Sequence, residues 1–177
     1  EGDTSEVMDH LKLTSALAFY DYKNALKAKT APINTKSGNT ARAEDFNELN
    51  LYTEATTKVA GFPLQLWTDY IHNTSASKNN DGYAIGFKLG KAKTPWDLKE
   101  GWEAGYYFER LEAEAAFDAF TDSDFGGGGT NHQGNVYFAK LAVLKNSTLG
   151  VEYDVAEEVD GSKNKEDRFQ IDWITKF

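Results

Sequence analysis

The segment "RFQIDWITKF", residues 168–177, alternates apolar and polar side chains along almost its whole length. Phe169, Ile171, Trp173, Thr175 and Phe177 fall on one side of an extended strand, and the residues between them fall on the other. Successive side chains of a strand point to opposite faces, so this spacing predicts a strand with one apolar face.

The same alternation recurs roughly every twenty residues, which predicts about eight strands. The segments that precede the closing one are "LKLTSALAFYDY" (11–22), "NLYTEATTKV" (50–59), "FPLQLWTDYI" (62–71), "YAIGFKLGK" (83–91), "WEAGYYFERL" (102–111), "NVYFAKLAVL" (135–144) and "TLGVEYDVAE" (148–157).

The connections between these strands differ in length. Short ones lie at 59–62 and 145–148, and a longer one at 91–101 takes a place where a short turn is expected. The remaining connections are long and polar, at 23–45, 73–82, 112–134 and 157–167. Short turns at one end and long loops at the other are typical of an up-and-down antiparallel transmembrane β-barrel. The stretches "NALKAK" (24–29) and "RLEAEAAFDAF" (110–120) leave a helical turn open within the loops.

Composition narrows the classes of protein further. The 177 residues suit a single domain, residues 1–177, and the mean hydropathy of -0.59 leaves no apolar run of the ~20 residues that a transmembrane helix needs. The net charge of -9 disfavours nucleic acid as a partner, because phosphate binding needs a basic surface. The chain has no cysteine, so it has neither a disulfide framework nor a thiolate metal site.

Periodicity alone leaves open which face of the strands meets water. A soluble barrel would bury the apolar ribbons, and could bind an apolar ligand at its centre, whereas a membrane barrel turns them toward lipid. Small and charged residues mixed on the polar faces favour the second arrangement. So do aromatic residues such as Phe19, Trp67, Trp102 and Trp173, which we expect at strand ends near the lipid interfaces.

In the membrane arrangement, the charges on the polar faces line a water-filled lumen. The predicted lumen-facing set is Lys12, Glu54, Asp69, Lys88, Glu103, Glu109, Lys140, Glu152, Asp154, Asp172 and Lys176. Seven acidic residues against four basic ones predict a weak preference for cations. Solvation of a polar surface is the simpler alternative for each of these residues.

The loop "AFTDSDFGGGGTNHQG", residues 119–134, is the most distinctive part of the chain. Its residues of interest are Asp122, Asp124, Gly126, Gly127, Gly128 and Gly129. A phosphate-binding loop would need a Gly-Lys-Ser/Thr sequence and a following helix, and both are missing. Asp118, with the two loop aspartates, could gather calcium, but the EF-hand spacing is absent. We therefore expect a mobile or inward-folded loop in which glycines allow unusual backbone turns, and no metal site or cofactor.

Four segments together resemble the C-terminal part of a family of Gram-negative outer-membrane proteins described as "putative porins". They are "FPLQLWTDYIHNT", "GYAIGFKLGKAK", "AFTDSDFGGGGT" and the closing "FQIDWITKF", and the resemblance runs from about Phe62 to Phe177. It implies a barrel in the bacterial outer membrane that passes small hydrophilic solutes or ions, and it implies no catalytic residues. Family members are longer than this chain, so the eight strands form either the C-terminal portion of a larger barrel or a small barrel with little conductance.

The closing strand also resembles the C-terminal signature of bacterial outer-membrane proteins. The resemblance implies that Trp173 and Phe177 form a signal for the barrel-assembly machinery, while Thr175 departs from the usual apolar choice. A non-conducting structural or adhesive barrel remains the alternative to a porin, and a homo-oligomer remains open. An enzyme is not expected, since the three histidines are scattered and no nucleophile motif is present.

Overall fold

The computed structural model describes residues 11–24, 38–39 and 45–176, and its regular secondary structure is almost entirely β-strand. Each strand pairs antiparallel with its neighbours in the sequence, which gives the strand order β1 to β8. The predicted fold class, an all-β up-and-down antiparallel arrangement of eight strands, is confirmed. The strands are β1 (Lys12–Tyr22), β2 (Phe46–Val59), β3 (Phe62–Asn73), β4 (Asp81–Ala92), β5 (Gly101–Leu111), β6 (His132–Leu144), β7 (Ser147–Glu158) and β8 (Lys165–Thr175).

The sheet is open rather than closed into a barrel within the described residues. β1 pairs only with β2, and β8 pairs only with β7, so these two strands form the edges of the sheet. Each edge carries backbone groups that no neighbouring strand of the sheet satisfies. An open sheet of this kind is consistent with a portion of a barrel.

The turns lie where the sequence predicts them. The β2–β3 turn holds only Ala60 and Gly61, whose φ angles of 51° and 83° match the left-handed turns that suit two-residue hairpins. The β4–β5 connection is longer and is ordered by Asp97, whose carboxylate accepts the backbone N–H groups of Lys99 and Glu100, both at 2.8 Å. These bonds hold the pKa of Asp97 below its ordinary value. Together with the β6–β7 turn, these connections form the short-turn end of the sheet.

The stretch 110–120, which has helical propensity, forms little helix. In 110–120 only Asp118–Phe120 makes a single 3-10 turn. Backbone groups of the preceding residues bond instead to distant parts of the chain: the N–H of Glu112 donates to the carbonyl of Asp81, and the N–H of Phe117 donates to Glu48. Apart from Asn24, the second stretch, 24–29, lies outside the described residues. In the part of the chain that the structure describes, no helix has the length and apolar character to cross a membrane.

In the described part of the chain buried apolar residues are few, and the two clusters they form lie beneath a loop rather than between two sheets. Phe46 packs against Tyr22, Ala76 and Phe117 in one cluster. Phe125 packs against Val136 and Ala156 in a second cluster. Both clusters lie where the β5–β6 connection covers one face of the sheet, so that face holds the candidate site.

Candidate functional site

The two faces of the sheet differ sharply in character. One face, called here the apolar face, bears the large side chains predicted for the lipid side. Among these Leu17 is 70% exposed, Ile171 62% and Ile85 57%. Val151 is also exposed, and Leu64 is half-buried. A soluble barrel with an apolar centre would bury these residues. Their exposure therefore disagrees with that alternative.

The opposite face, called here the polar face, collects the predicted charges. Strand register places ten of the eleven on it, because cross-strand partners share a face. One continuous row of partners runs Lys12, Thr56, Gln65, Lys88, Gly105, Phe138, Glu152 and Gln170. Parallel rows hold Glu54, Asp69, Glu103, Glu109, Lys140, Asp154 and Asp172.

The eleventh residue, Lys176, follows the end of β8 at Thr175 rather than lying within the strand. Its backbone N–H still donates to the carbonyl of Asn146 at 2.9 Å, so the ladder extends one residue past the strand. Its side chain borders a cavity together with Lys88 and Lys140. That the polar face lines water remains a prediction.

An aromatic pair lies in the middle of the polar face, among the small and charged groups that the sequence indicated there. The rings of Trp67 and Tyr107 are 5.5 Å apart, on either side of Gly86. A Cβ atom on Gly86 would lie 2.9 Å from Cε2 of Trp67 and 2.6 Å from Cβ of Tyr107, so only glycine fits. The expectation that Trp67 marks a strand end is therefore wrong, since it occupies the sixth position of twelve in β3.

Several carboxylates of the polar face accept hydrogen bonds from neutral neighbours. Glu54 accepts from the hydroxyl of Tyr52 at 2.7 Å and from the side-chain amide of Gln65 at 2.6 Å. Asp69 accepts from Asn50 at 2.5 Å. The same pattern holds for Asp172, which accepts from Gln170 at 2.8 and 2.9 Å. These donors fix the carboxylates in place and leave their negative charge uncancelled.

The β5–β6 connection, residues 112–131, is called here the crossing loop, because it contacts strands at both sides of the polar face. Its first half reaches β1, β2 and β3. The backbone N–H of Phe117 donates to Glu48 Oε1 at 2.7 Å, and the ring of Phe117 lies 5.5 Å from that of Phe46. Fully buried Asn73 donates to the carbonyl of Glu114 at 2.9 Å. The loop is thereby tied to strands distant in the sequence.

The second half of the crossing loop reaches β6, β7 and β8. Phe125 is only 4% exposed, against Val136 and Ala156. Asp124 forms an ion pair with Arg168 of β8 at 3.0 Å, and Arg168 also donates to the backbone carbonyl of Asp124. The sequence left a mobile or an inward-folded loop open, and in the structure the loop lies over the polar face. The sequence did not indicate that Arg168 and Phe125 anchor the loop. Alternation in the closing strand did indicate that Arg168 lies on the polar face.

The four glycines make the turn beneath which Phe125 is held. Gly126 to Gly129 all have positive φ angles, between 58° and 89°, a conformation that other residues rarely adopt. The carbonyl of Phe125 accepts the N–H of Gly128 at 2.9 Å, and Nε2 of buried His132 lies 3.0 Å from the carbonyl of Gly128. The glycines therefore serve a tight backbone turn.

The crossing loop adds negative charge to an acidic part of the polar face. Asp122 interacts electrostatically with Glu109, Glu152 and Asp154. Within residues 11–24, 38–39 and 45–176, no group of three or more acidic or histidine side chains is arranged to hold a metal ion. The idea of calcium at Asp118, Asp122 and Asp124 thus gains no support. Asp118 instead accepts a backbone N–H from Asn39 at 3.3 Å.

The proposed assembly signal is described only in part. Trp173 lies on the apolar face near the end of β8 and is 58% exposed, with its indole N–H donating to Thr175 at 3.0 Å. Phe177 lies outside the described residues.

Comparison with known proteins gives one match. A protein-family model described as "Putative porin" matches residues 25–177, which is most of the chain and includes β2 to β8. No curated protein and no solved structure matches the chain.

Proposed function

The chain belongs to the "Putative porin" family, and from this premise we propose that it forms part of an outer-membrane porin through which small hydrophilic solutes or ions diffuse passively. The observation that carries the proposal is that the sheet has one exposed apolar face and one charged face. Exposed Leu17, Ile85 and Ile171 suit hydrocarbon, while the charged polar face suits water. The family is one of channel or structural proteins, and we propose no catalytic role.

We place the pore in a barrel larger than eight strands. An eight-stranded barrel is nearly filled by its own side chains, whereas 16–18 strands leave an aqueous channel. Free sheet edges do not occur in hydrocarbon, because water cannot satisfy their backbone groups there. In our proposal, further strands pair with the free edges of β1 and β8, and the polar face forms one side of the lumen.

Planar bilayer recording tests conduction and its charge preference. We expect discrete conductance steps, and in a KCl gradient a reversal potential of the sign that indicates a weak cation preference. The excess of acidic side chains on the polar face supports this preference. Clear anion selectivity would refute the cation preference but leave the porin function standing.

A non-conducting structural or adhesive barrel is the second candidate, and the crossing loop is the observation that favours it. Phe125 and the Asp124–Arg168 pair hold that loop over the polar face, where it could obstruct a passage. Liposome swelling separates the two candidates. Swelling of the liposomes in small sugars supports the porin. Liposomes that contain the inserted protein and do not swell support the structural barrel.

For assembly, we propose that the barrel-assembly machinery recognises the closing strand through Trp173 and Phe177. The exposed position of Trp173 on the apolar face supports this proposal. Replacement of both residues by alanine should lower the amount of folded protein in the outer membrane. Refolding of the same variant in detergent, where no machinery acts, serves as the control.

A further inference from the structure

At the short-turn end of the sheet, a cavity of about 630 Å³ opens on the polar face. Strands β2 to β8 contribute to its walls, together with the β4–β5 and β6–β7 turns. The charged residues that border it are five lysines and one glutamate: Lys88, Lys91, Lys93, Lys140, Lys176 and Glu103. We call it the lysine cavity. Its charge is opposite to that of the acidic region under the crossing loop.

Little of this positive charge is neutralised by neighbouring carboxylates. Glu103 lies 3.7 Å from Lys140 and is the one carboxylate among the lining residues. Glu54 interacts electrostatically with Lys88 from outside the cavity. In the described part of the chain, no carboxylate is within ion-pair distance of Lys88, Lys91, Lys93 or Lys176. Five lysines against one glutamate therefore leave the cavity with a net positive charge.

We propose that the lysine cavity is a binding site for small oxyanions, solutes that bear a phosphate or carboxylate group. Such an anion would neutralise part of this positive charge, and the lining Thr56 and Thr148 offer hydroxyl donors to it. Rings of lysine or arginine are the usual lining of pores that bind anions and phosphate. The inference rests on the proposed function in one respect, that water fills the polar face.

Titration calorimetry with inorganic phosphate tests the site directly. The full-length protein is folded in neutral detergent micelles at low ionic strength, because salt screens charge interactions beyond about 10 Å at 0.1 M. The unaltered protein should bind phosphate with about one equivalent per chain. The triple variant Lys88→Gln, Lys93→Gln, Lys176→Gln should bind about tenfold more weakly or worse, because three nearby ammonium charges are lost.

A matched control removes the same number of positive charges at the other end of the sheet. Lys23→Gln, Lys78→Gln and Lys165→Gln remove three lysines beside the long loops, far along the strands from the cavity. This variant should bind phosphate within twofold of the unaltered protein. Equal weakening in both triple variants would mean that net charge alone attracts phosphate, and it would overturn the site.

A second arm separates a free solute from a lipid headgroup. Short-chain phosphatidylglycerol carries the same phosphate chemistry, so its binding without any binding of inorganic phosphate would overturn the proposal in favour of a lipid site. No phosphate binding by a protein that conducts in bilayers overturns the cavity site alone. Phosphate binding by a protein that does not conduct overturns the porin proposal and leaves the site.

Discussion

At the scale of single residues, Gly86 shows how closely the middle of the polar face is packed. A methyl group there would lie 2.6 Å from Tyr107 Cβ and 2.8 Å from the carbonyl oxygen of Tyr106, which is backbone and cannot move aside. Gly86→Ala should therefore lower the free energy of unfolding by about 1–3 kcal/mol, the usual cost of overpacking. Urea unfolding of the protein in lipid vesicles measures this change.

Gly150 supplies the control for that substitution. It lies on the same face, in β7, and a Cβ atom there would find its nearest neighbours at 3.6 and 3.8 Å, which is ordinary contact. Gly150→Ala should leave stability nearly unchanged. Equal losses in the two variants would show that both glycines matter for strand conformation, and that the contact of Trp67 with Tyr107 does not explain Gly86.

At this scale the sequence was sufficient to predict on which face of a strand a side chain lies. Alternation correctly placed Glu54, Lys88 and Glu152 on one face, because a strand offers just two directions for a side chain. The expected strand-end position of Trp67 was wrong, because alternation fixes the face of a side chain but not the bounds of its strand. Nor could alternation show that Gly86 and Tyr107 lie beside Trp67, since that depends on strand register.

At the scale of the elements, the crossing loop depends on contacts that no local pattern reveals. Its bonds join residues far apart in the chain, 69 positions for Glu48 with Phe117 and 41 for Asn73 with Glu114. The helix formers in 110–120 left a helical turn open, and a single 3-10 turn forms at Asp118–Phe120, while long-range partners satisfy backbone groups of the preceding residues. The glycines of 126–129 did indicate an unusual turn, although they did not indicate where the turn would pack.

Phe125 tests whether the crossing loop is held by its buried ring. Loss of a buried phenylalanine costs about 3–5 kcal/mol in a full core. In the smaller cluster of Phe125, Val136 and Ala156, we expect Phe125→Ala to make cleavage of the loop by proteinase K at least about tenfold faster. If the loop narrows a passage, the same variant should also show a larger single-channel conductance.

The control lies in the same loop. Phe120 is 70% exposed, against 4% for Phe125, so Phe120→Ala removes far less buried surface. Its cleavage rate should remain within about threefold of that of the unaltered protein. Similar acceleration in both variants would indicate that the loop opens as a whole through its first half, with no special role for the second cluster.

At the scale of the whole molecule, the apolar face should meet hydrocarbon. Leu17 lies midway along β1 on that face, and Leu17→Lys would place a charge near the bilayer centre at a cost of about 2–4 kcal/mol. Thr14→Lys on the polar face of the same strand should cost well under 1 kcal/mol. Unfolding of both variants in lipid vesicles measures the difference, and equal costs would refute the assignment of the faces.

The number of strands does not determine whether the barrel closes. Alternation predicts how many strands exist, whereas closure depends on which strand meets each edge, and β1 and β8 do not meet in this structure. The chain contains no cysteine, so introduced pairs can report proximity without background. Ser15 and Thr53 face each other on β1 and β2 with their hydroxyl oxygens 3.4 Å apart, and cysteines there should form a disulfide readily.

With that positive control, Ser15→Cys is combined in turn with Phe169→Cys, Ile171→Cys or Thr175→Cys on the same face of β8. In a barrel closed by these eight strands alone, β1 and β8 would be hydrogen-bonded neighbours, and one of the three pairs would lie within the 4.4–6.8 Å between Cα atoms that a disulfide requires. In a larger barrel, further strands separate the two edges. We expect no cross-link within one chain of the full-length protein, because only the larger barrel leaves room for water beside the crossing loop. A high-yield disulfide between β1 and β8 would instead indicate a small filled barrel, and it would favour the structural role over the porin.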